Sequence, residues 1–119
     1  MQVSNIEIEE TMDYTLSLTY RDETTNLPVN LTGYSAELEL RPNFGSPSSL
    51  LTLSTDNGRI VLGGDSGAID ATFLPIDTDQ SQLYTAWSRA AYDLVLTDPT
   101  GKKKKILKGF ITISRTASL

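Results

Sequence analysis

Acidic side chains recur at a spacing of two in this chain, Glu7 with Glu9 and Glu37 with Glu39. On an extended strand that spacing puts both carboxylates of a pair on one face. Two carboxylates flanking a sugar ring are the machinery of a glycosidase. The same spacing also describes the wet face of an antiparallel sheet, which is the commoner origin of such pairs. Gly63-Gly64-Asp65-Ser66-Gly67, with Asp56 and Asp70 near it in sequence, offers clustered oxygens of the kind calcium needs. Its spacing is not that of an EF-hand loop and no repeat supports a β-roll, so a glycine-rich turn between two strands accounts for it. Nor is Gly63-Gly64 a phosphate loop, because no Lys-Ser or Lys-Thr follows and no long helix opens there.

Histidine and cysteine are both absent. Their absence removes the usual general base, the Ser-His-Asp and Cys-His constellations and most transition-metal sites. A nucleophile would need a Ser-Lys or N-terminal variant, for which no motif is visible. An enzyme is therefore not expected, and neither a metal nor another cofactor is implied.

The sharpest charge feature is Lys102-Lys103-Lys104-Lys105, with Lys108 just beyond. As a nucleic-acid patch it lacks interleaved aromatics, and the acidic remainder of the chain would repel phosphates. It reads as a solvated hairpin arm whose lysines discourage edge-to-edge pairing, with an acidic protein partner as the alternative. Trp87 is the single tryptophan, and it is either an interface anchor or a plug at the end of the core. Phe44, in a stretch rich in Gly, Pro and Ser, joins these residues as a candidate contact.

The elements that must carry these residues have a period of two. Tyr14, Leu16, Leu18 and Tyr20 alternate with Thr15, Ser17 and Thr19, and Tyr34, Ala36, Leu38 and Leu40 alternate with Ser35, Glu37, Glu39 and Arg41. Ile6 and Ile8 suggest a shorter first strand. Leu50 to Leu53 and Arg59 to Leu62 flank Asp56-Asn57-Gly58, which reads as a hairpin turn. Ile69, Ala71 and Phe73 mark another strand, and two late strands run from Ala91 to Thr97 and from Lys103 to Ser114. Between these last two, Asp98-Pro99-Thr100-Gly101 has the residues a type I turn prefers. One short helical turn is expected within Pro75 to Tyr84, and a mobile loop over Pro42 to Ser49. About seven or eight short strands argue for an all-β fold, a two-sheet antiparallel sandwich of immunoglobulin-like type.

The 119 residues fit one domain, 1–119, and suffice for a core without disulfides. No signal peptide is expected from the start of the chain, and no apolar run approaches the roughly 20 residues of a membrane helix. Net charge is −5, from 10 basic and 15 acidic residues, which disfavours nucleic acid as a partner. The charge is segregated: all the acids lie in residues 1–98, and the last 21 residues carry five lysines and Arg115 with no acid. A last strand of opposite sign suits docking across an acidic sheet, or head-to-tail contact between copies.

The C-terminal third carries a resemblance. Ala91-Tyr92-Asp93-Leu94-Val95-Leu96-Thr97-Asp98-Pro99-Thr100-Gly101, followed by Ile106-Leu107-Lys108-Gly109-Phe110-Ile111-Thr112-Ile113-Ser114, resembles small β-sandwich virion proteins of tailed bacteriophages. Leu31-Thr32-Gly33-Tyr34, Glu39-Leu40-Arg41, Leu53-Ser54-Thr55, Gly58-Arg59-Ile60 and Gly64-Asp65-Ser66-Gly67-Ala68-Ile69 fit its upstream segments in order. The chain is also similar to the N-terminal domain of phage baseplate upper proteins. The motif residues are structural: Tyr92, Leu94 and Leu96 would fill the core, Asp98 and Gly101 the turn, and Gly109 a close approach or bulge. The lysine run departs from the pattern. The resemblance implies a non-enzymatic virion component at the neck, collar, tail or baseplate, made in the host bacterial cytoplasm. Its partners would be other phage structural proteins and further copies of itself in a symmetric assembly, with no nucleic acid and no membrane. The candidate contacts are Lys102, Lys103, Lys104, Lys105, Lys108, Trp87 and Phe44. A capsid decoration protein, or a carbohydrate- or host-surface-binding module using Trp87, Tyr84 and Phe44, are the alternatives.

Overall fold

The computed structural model describes residues 2–10, 12–74, 77 and 89–114. Among the described residues nine strands follow one another: β1 (Gln2–Val3), β2 (Ile6–Glu9), β3 (Tyr14–Thr19), β4 (Ser35–Arg41), β5 (Leu51–Ser54), β6 (Ile60–Leu62), β7 (Ala68–Phe73), β8 (Arg89–Thr97) and β9 (Lys103–Ser114). The larger sheet has the order β1/β2, β9, β8, β4, β5, and the smaller sheet has β3, β7, β6. This is the immunoglobulin-like arrangement, with the first strand beside the last and a three-stranded sheet packed opposite. The alternating apolar residues form the layer between the sheets, with Leu38, Leu40, Leu53, Ile69, Phe73, Leu94 and Ile111 fully enclosed. The expected helical stretch, apart from Asp77, lies outside the described residues, as do Tyr84 and Trp87. The one described helical element is a 3-10 turn at Gly64–Ser66, where a glycine-rich turn was expected.

Two expectations need correction. The sandwich is not antiparallel throughout: β1 and β2 run parallel to β9, pairing Gln2 with Leu107 and Ile6 with Ile111. The first strand is split into two because the chain crosses Gly109 at Ser4 and Asn5. An added Cβ at Gly109 would fall 2.7 Å from the Ser4 carbonyl carbon, so only glycine admits the crossing. There the Asn5 side chain accepts the Phe110 N–H at 3.0 Å, and the Tyr92 hydroxyl donates to the Ser4 carbonyl at 2.6 Å. Burial pushes the Tyr92 hydroxyl pKa up to about 12.

The second correction concerns Asp56-Asn57-Gly58, which joins two strands in different sheets rather than a hairpin. β5 pairs with β4, and β6 pairs with β7. A sheet-to-sheet crossing strips the chain of ladder partners, and Asn57 supplies replacements. Its Oδ1 accepts from the Ser54 and Arg59 N–H groups, and its Nδ2 donates to the Thr52 carbonyl at 2.9 Å. Gly58 completes the crossing at φ 78°. Beyond it, Arg59 forks onto Asp77, with Nη1–Oδ2 at 2.6 Å and Nη2–Oδ1 at 3.2 Å. That ion pair ties the crossing to the segment after β7, where the Leu74 N–H also donates to Asp77.

Candidate functional site

The lysine run is divided by the geometry of its own strand. Register along β8 and β9 pairs Thr97 with Lys103, Leu96 with Lys104 and Val95 with Lys105, then jumps to Leu94 with Leu107. Ile106 is the extra residue of a β-bulge, and a bulge reverses which face the following side chains take. Ile106 and Leu107 are accordingly both buried in succession. On the near side of the bulge, Lys103 and Lys105 share the outer face with Thr97 and Val95. Lys104 shares the inner side with Leu96 and lies at the open end of the sandwich, its Nζ 5.8 Å from the Tyr20 ring centroid. A hydrogen bond with the Tyr20 hydroxyl, helped by the carboxylates of Glu23 and Asp22, raises the Lys104 pKa. Lys102 belongs to the turn, where its N–H donates to Asp98 Oδ1. The Thr100 hydroxyl donates to the same carboxylate and, with that backbone bond, lowers the Asp98 pKa. The run is thus a set of residues in three settings, not one patch.

Past the bulge, Lys108, Phe110 and Thr112 take the outer face of the larger sheet. In register this face reads Glu39, Asp93, Lys108 across three strands, with Glu37, Val95, Lys105 in the next row. The acids of β4 and β8 therefore lie beside the lysines of β9, and Lys105 Nζ reaches Asp93 at 3.1 Å. Glu39 is paired with Arg41. Burial, followed by the hydrogen bond and charge of Glu39, raises the Glu37 pKa. The carboxylate pair of β4 is engaged with itself and with Arg41 on an open sheet face.

A compact aromatic and cationic cluster occupies the same face. Phe44, 48% exposed, packs edge-on against Phe110, with ring centroids 5.3 Å apart and planes at 68°. The Arg89 guanidinium lies 3.9 Å over the Phe110 ring, and Lys108 Nζ is 5.7 Å from the Phe44 ring. Cations over ring faces are attracted by the ring quadrupole, worth about 0.5–1 kcal/mol at exposed positions. The loop carrying Phe44 is tied back to β4, since Arg41 Nη1 donates to the Ser46 carbonyl at 2.8 Å and Ser46 N–H to Asn43 at 3.1 Å. Between this loop and residues Glu39, Ala91 and Asp93 lies an open recess of about 430 Å³.

Of the residues singled out from sequence, Phe44 and Lys108 meet in this cluster and Lys105 meets the acids beside it. Lys103 shares the outer face but sits beside Thr97 at the far end of the strand, away from the cluster; Lys102 and Lys104 point elsewhere, and Trp87 lies outside the described residues. Phe110 and Arg89 were missed. The outward phase of Phe110 follows from the bulge, which a plain alternation through Lys103 to Ser114 does not reveal; Arg89 keeps the plain alternation of β8 but lies two residues before the expected start of that strand at Ala91. Among the described residues, no three ligating side chains gather closely enough to hold a metal ion. Asp56, Asp65 and Asp70 are not drawn together; the turn is instead closed by the Ser66 hydroxyl donating to the Gly63 carbonyl at 2.9 Å. Compared with models of known protein families and with curated proteins, the chain matches none.

Proposed function

We propose that this protein is a non-enzymatic structural component of a tailed-phage virion, joining neighbouring proteins at the neck, collar, tail or baseplate. The observation that carries the reading is the Phe44, Phe110, Arg89 and Lys108 cluster on the outer face of the larger sheet. Aromatic residues and arginine are enriched at protein interfaces, and here they lie together on one sheet face. The order of motifs from Leu31 to Ser114 supports the phage setting. Lys105, already held by Asp93, contributes less to such a contact than Lys108.

The test is incorporation into particles. Phage encoding Phe44→Ser together with Lys108→Ser should yield virions depleted of the protein, while the purified variant keeps the wild-type melting curve. Gold-labelled antibody on wild-type particles should mark the neck, tail or baseplate. Undiminished copy number of the variant in purified virions would remove the cluster from the mechanism, and wild-type virions lacking the protein altogether would end the virion reading. Label over the head would move the protein to capsid decoration.

A further inference from the structure

Among the described residues, four strand edges close the two sheets, and three of them are poor templates for another strand. β5 has 4 residues and β6 has 3. β2 turns Glu7 and Glu9 outward. β3 differs: it has 6 residues, no proline and no charge, and among the described residues only β7 pairs with it. Long, uncharged edges attract a partner strand.

The direction of its backbone groups is fixed by two bonds. Tyr20 N–H donates to Gly67 at 2.8 Å, on the β7 side, while Thr72 N–H of β7 turns away to Arg59 at 2.9 Å. Backbone groups alternate along an antiparallel ladder. The even-numbered residues of β3 therefore serve β7, and Thr15, Ser17 and Thr19 direct N–H and C=O to the open side. Thr15, Ser17 and Thr19 are exposed, and Tyr14, Leu16, Leu18 and Tyr20 are half-buried, leaving apolar surface along the rim.

The sequence of this edge is a palindrome. Tyr14-Thr15-Leu16-Ser17-Leu18-Thr19-Tyr20 reads identically from either end, and it is bracketed by Asp13 and Arg21, both exposed. A two-fold axis at Ser17 would set Ser17 against its own copy, Thr15 against Thr19, Leu16 against Leu18 and Tyr14 against Tyr20. Like aromatic, aliphatic and threonine pairs across strands are favourable. One step further out, Asp13 of each copy meets Arg21 of the other, so both ends carry opposite charges. We infer that β3 pairs antiparallel with β3 of a second copy about Ser17, fusing two three-stranded sheets into one six-stranded sheet. The contact is isologous and closes at a dimer, with roughly six backbone hydrogen bonds across the axis. It does not depend on the virion reading.

Sedimentation velocity of the purified chain tests it. The expected species has twice the chain mass. Ser17→Pro removes the N–H that points to the open side and spares the β3–β7 ladder, so it should give a folded monomer. Because the chain holds no cysteine, Ser17→Cys introduces a single thiol. Opposed hydrogen-bonded residues sit about 5.5 Å apart at Cα, within disulfide range, so mild oxidation should cross-link the pair. Val61→Cys, exposed on β6, should not cross-link. Asp13→Arg or Arg21→Asp alone should weaken the dimer about tenfold, and the two together should restore it. A monomer at every concentration up to about 1 mM, the limit of weak affinity, would overturn the inference. So would a dimer that survives Ser17→Pro and fails to cross-link through Ser17→Cys, since it would use another face. These readouts report pairing whether or not the protein enters a virion.

Discussion

Gly109→Ala puts a methyl group where the first strand crosses the last. The added Cβ would lie 2.7 Å from the Ser4 carbonyl carbon, nearer still to its oxygen, and 3.1 Å from Asn5 Oδ1. Ser4 meets it with backbone atoms, so no rotamer change relieves the clash and the β1–β2 junction must lift off β9. Three hydrogen bonds go with it: Ser4 N–H to Lys108 at 2.9 Å, Phe110 N–H to Asn5 at 3.0 Å, and Tyr92 hydroxyl to Ser4 at 2.6 Å. At about 1 kcal/mol each the loss is roughly 3 kcal/mol, a large share of the 5–15 kcal/mol typical of a domain. Urea unfolding should show that loss at unchanged m-value, with Tm lowered by roughly 12 °C or more. Tyr92→Phe alone should cost about 1 kcal/mol, and close to nothing when Ala already occupies position 109, because the bond it removes is already gone. A Gly109→Ala loss under about 1 kcal/mol, or a Tyr92→Phe cost equal in both backgrounds, would refute the reasoning.

Further outcomes follow from the other anchored groups. Arg59→Ala strands the Asp77 carboxylate, which is 5% exposed, and should cost about 3 kcal/mol by thermal unfolding, with Arg59→Lys recovering part of it. The raised Tyr92 pKa means the folded state prefers the neutral phenol, so its contribution is complete below about pH 10 and is lost as pH climbs toward about 12. Phenolate absorbance should show one tyrosine ionising late, and Tyr92→Phe should flatten that part of the stability curve. The raised Glu37 pKa has the same sign: ionisation works against the fold, so stability falls as pH rises through its folded value. Glu37→Gln should therefore raise the urea midpoint at neutral pH and make no difference well below pH 4.5, the ordinary value of that carboxyl.

The strands were legible because one face of each is buried. Period-two alternation located β3, β4, β7 and β8 within a residue or two, and Lys103 to Ser114 matches β9 end to end. The Asp98 to Gly101 turn was legible too, since the Asp98 side chain and the turn bond from Gly101 N–H to the Asp98 carbonyl use local chemistry alone. Pairing was not. Asp56-Asn57-Gly58 has hairpin chemistry, and nothing local says that β5 and β6 belong to different sheets; that is decided by Leu53 and Ile60 packing into the core from opposite sides. The candidate face was half legible. Lys108 and Phe44 stood out by type, whereas Phe110 depends on a bulge at Ile106, where two adjacent apolar residues both turn inward, and Arg89 lies just ahead of the alternation that marked β8.

The parallel contact between the first strand and the last has a consequence for biogenesis. The bond from Phe110 to Asn5 spans 105 residues, and β9 sits between β2 and β8. A ribosome delivering the chain at about 5–20 residues per second exposes β2 for roughly 5–20 seconds, and β8 for about a second, before the strand that separates them emerges. During that interval Ile6, Ile8 and Leu94 have no neighbour on one side, and such unpaired edges invite misassembly. Folding dominated by such distant pairings is slow. Nascent chains stalled before Lys103 should therefore be protease-sensitive throughout, and protection should appear in one step once β9 clears the exit tunnel.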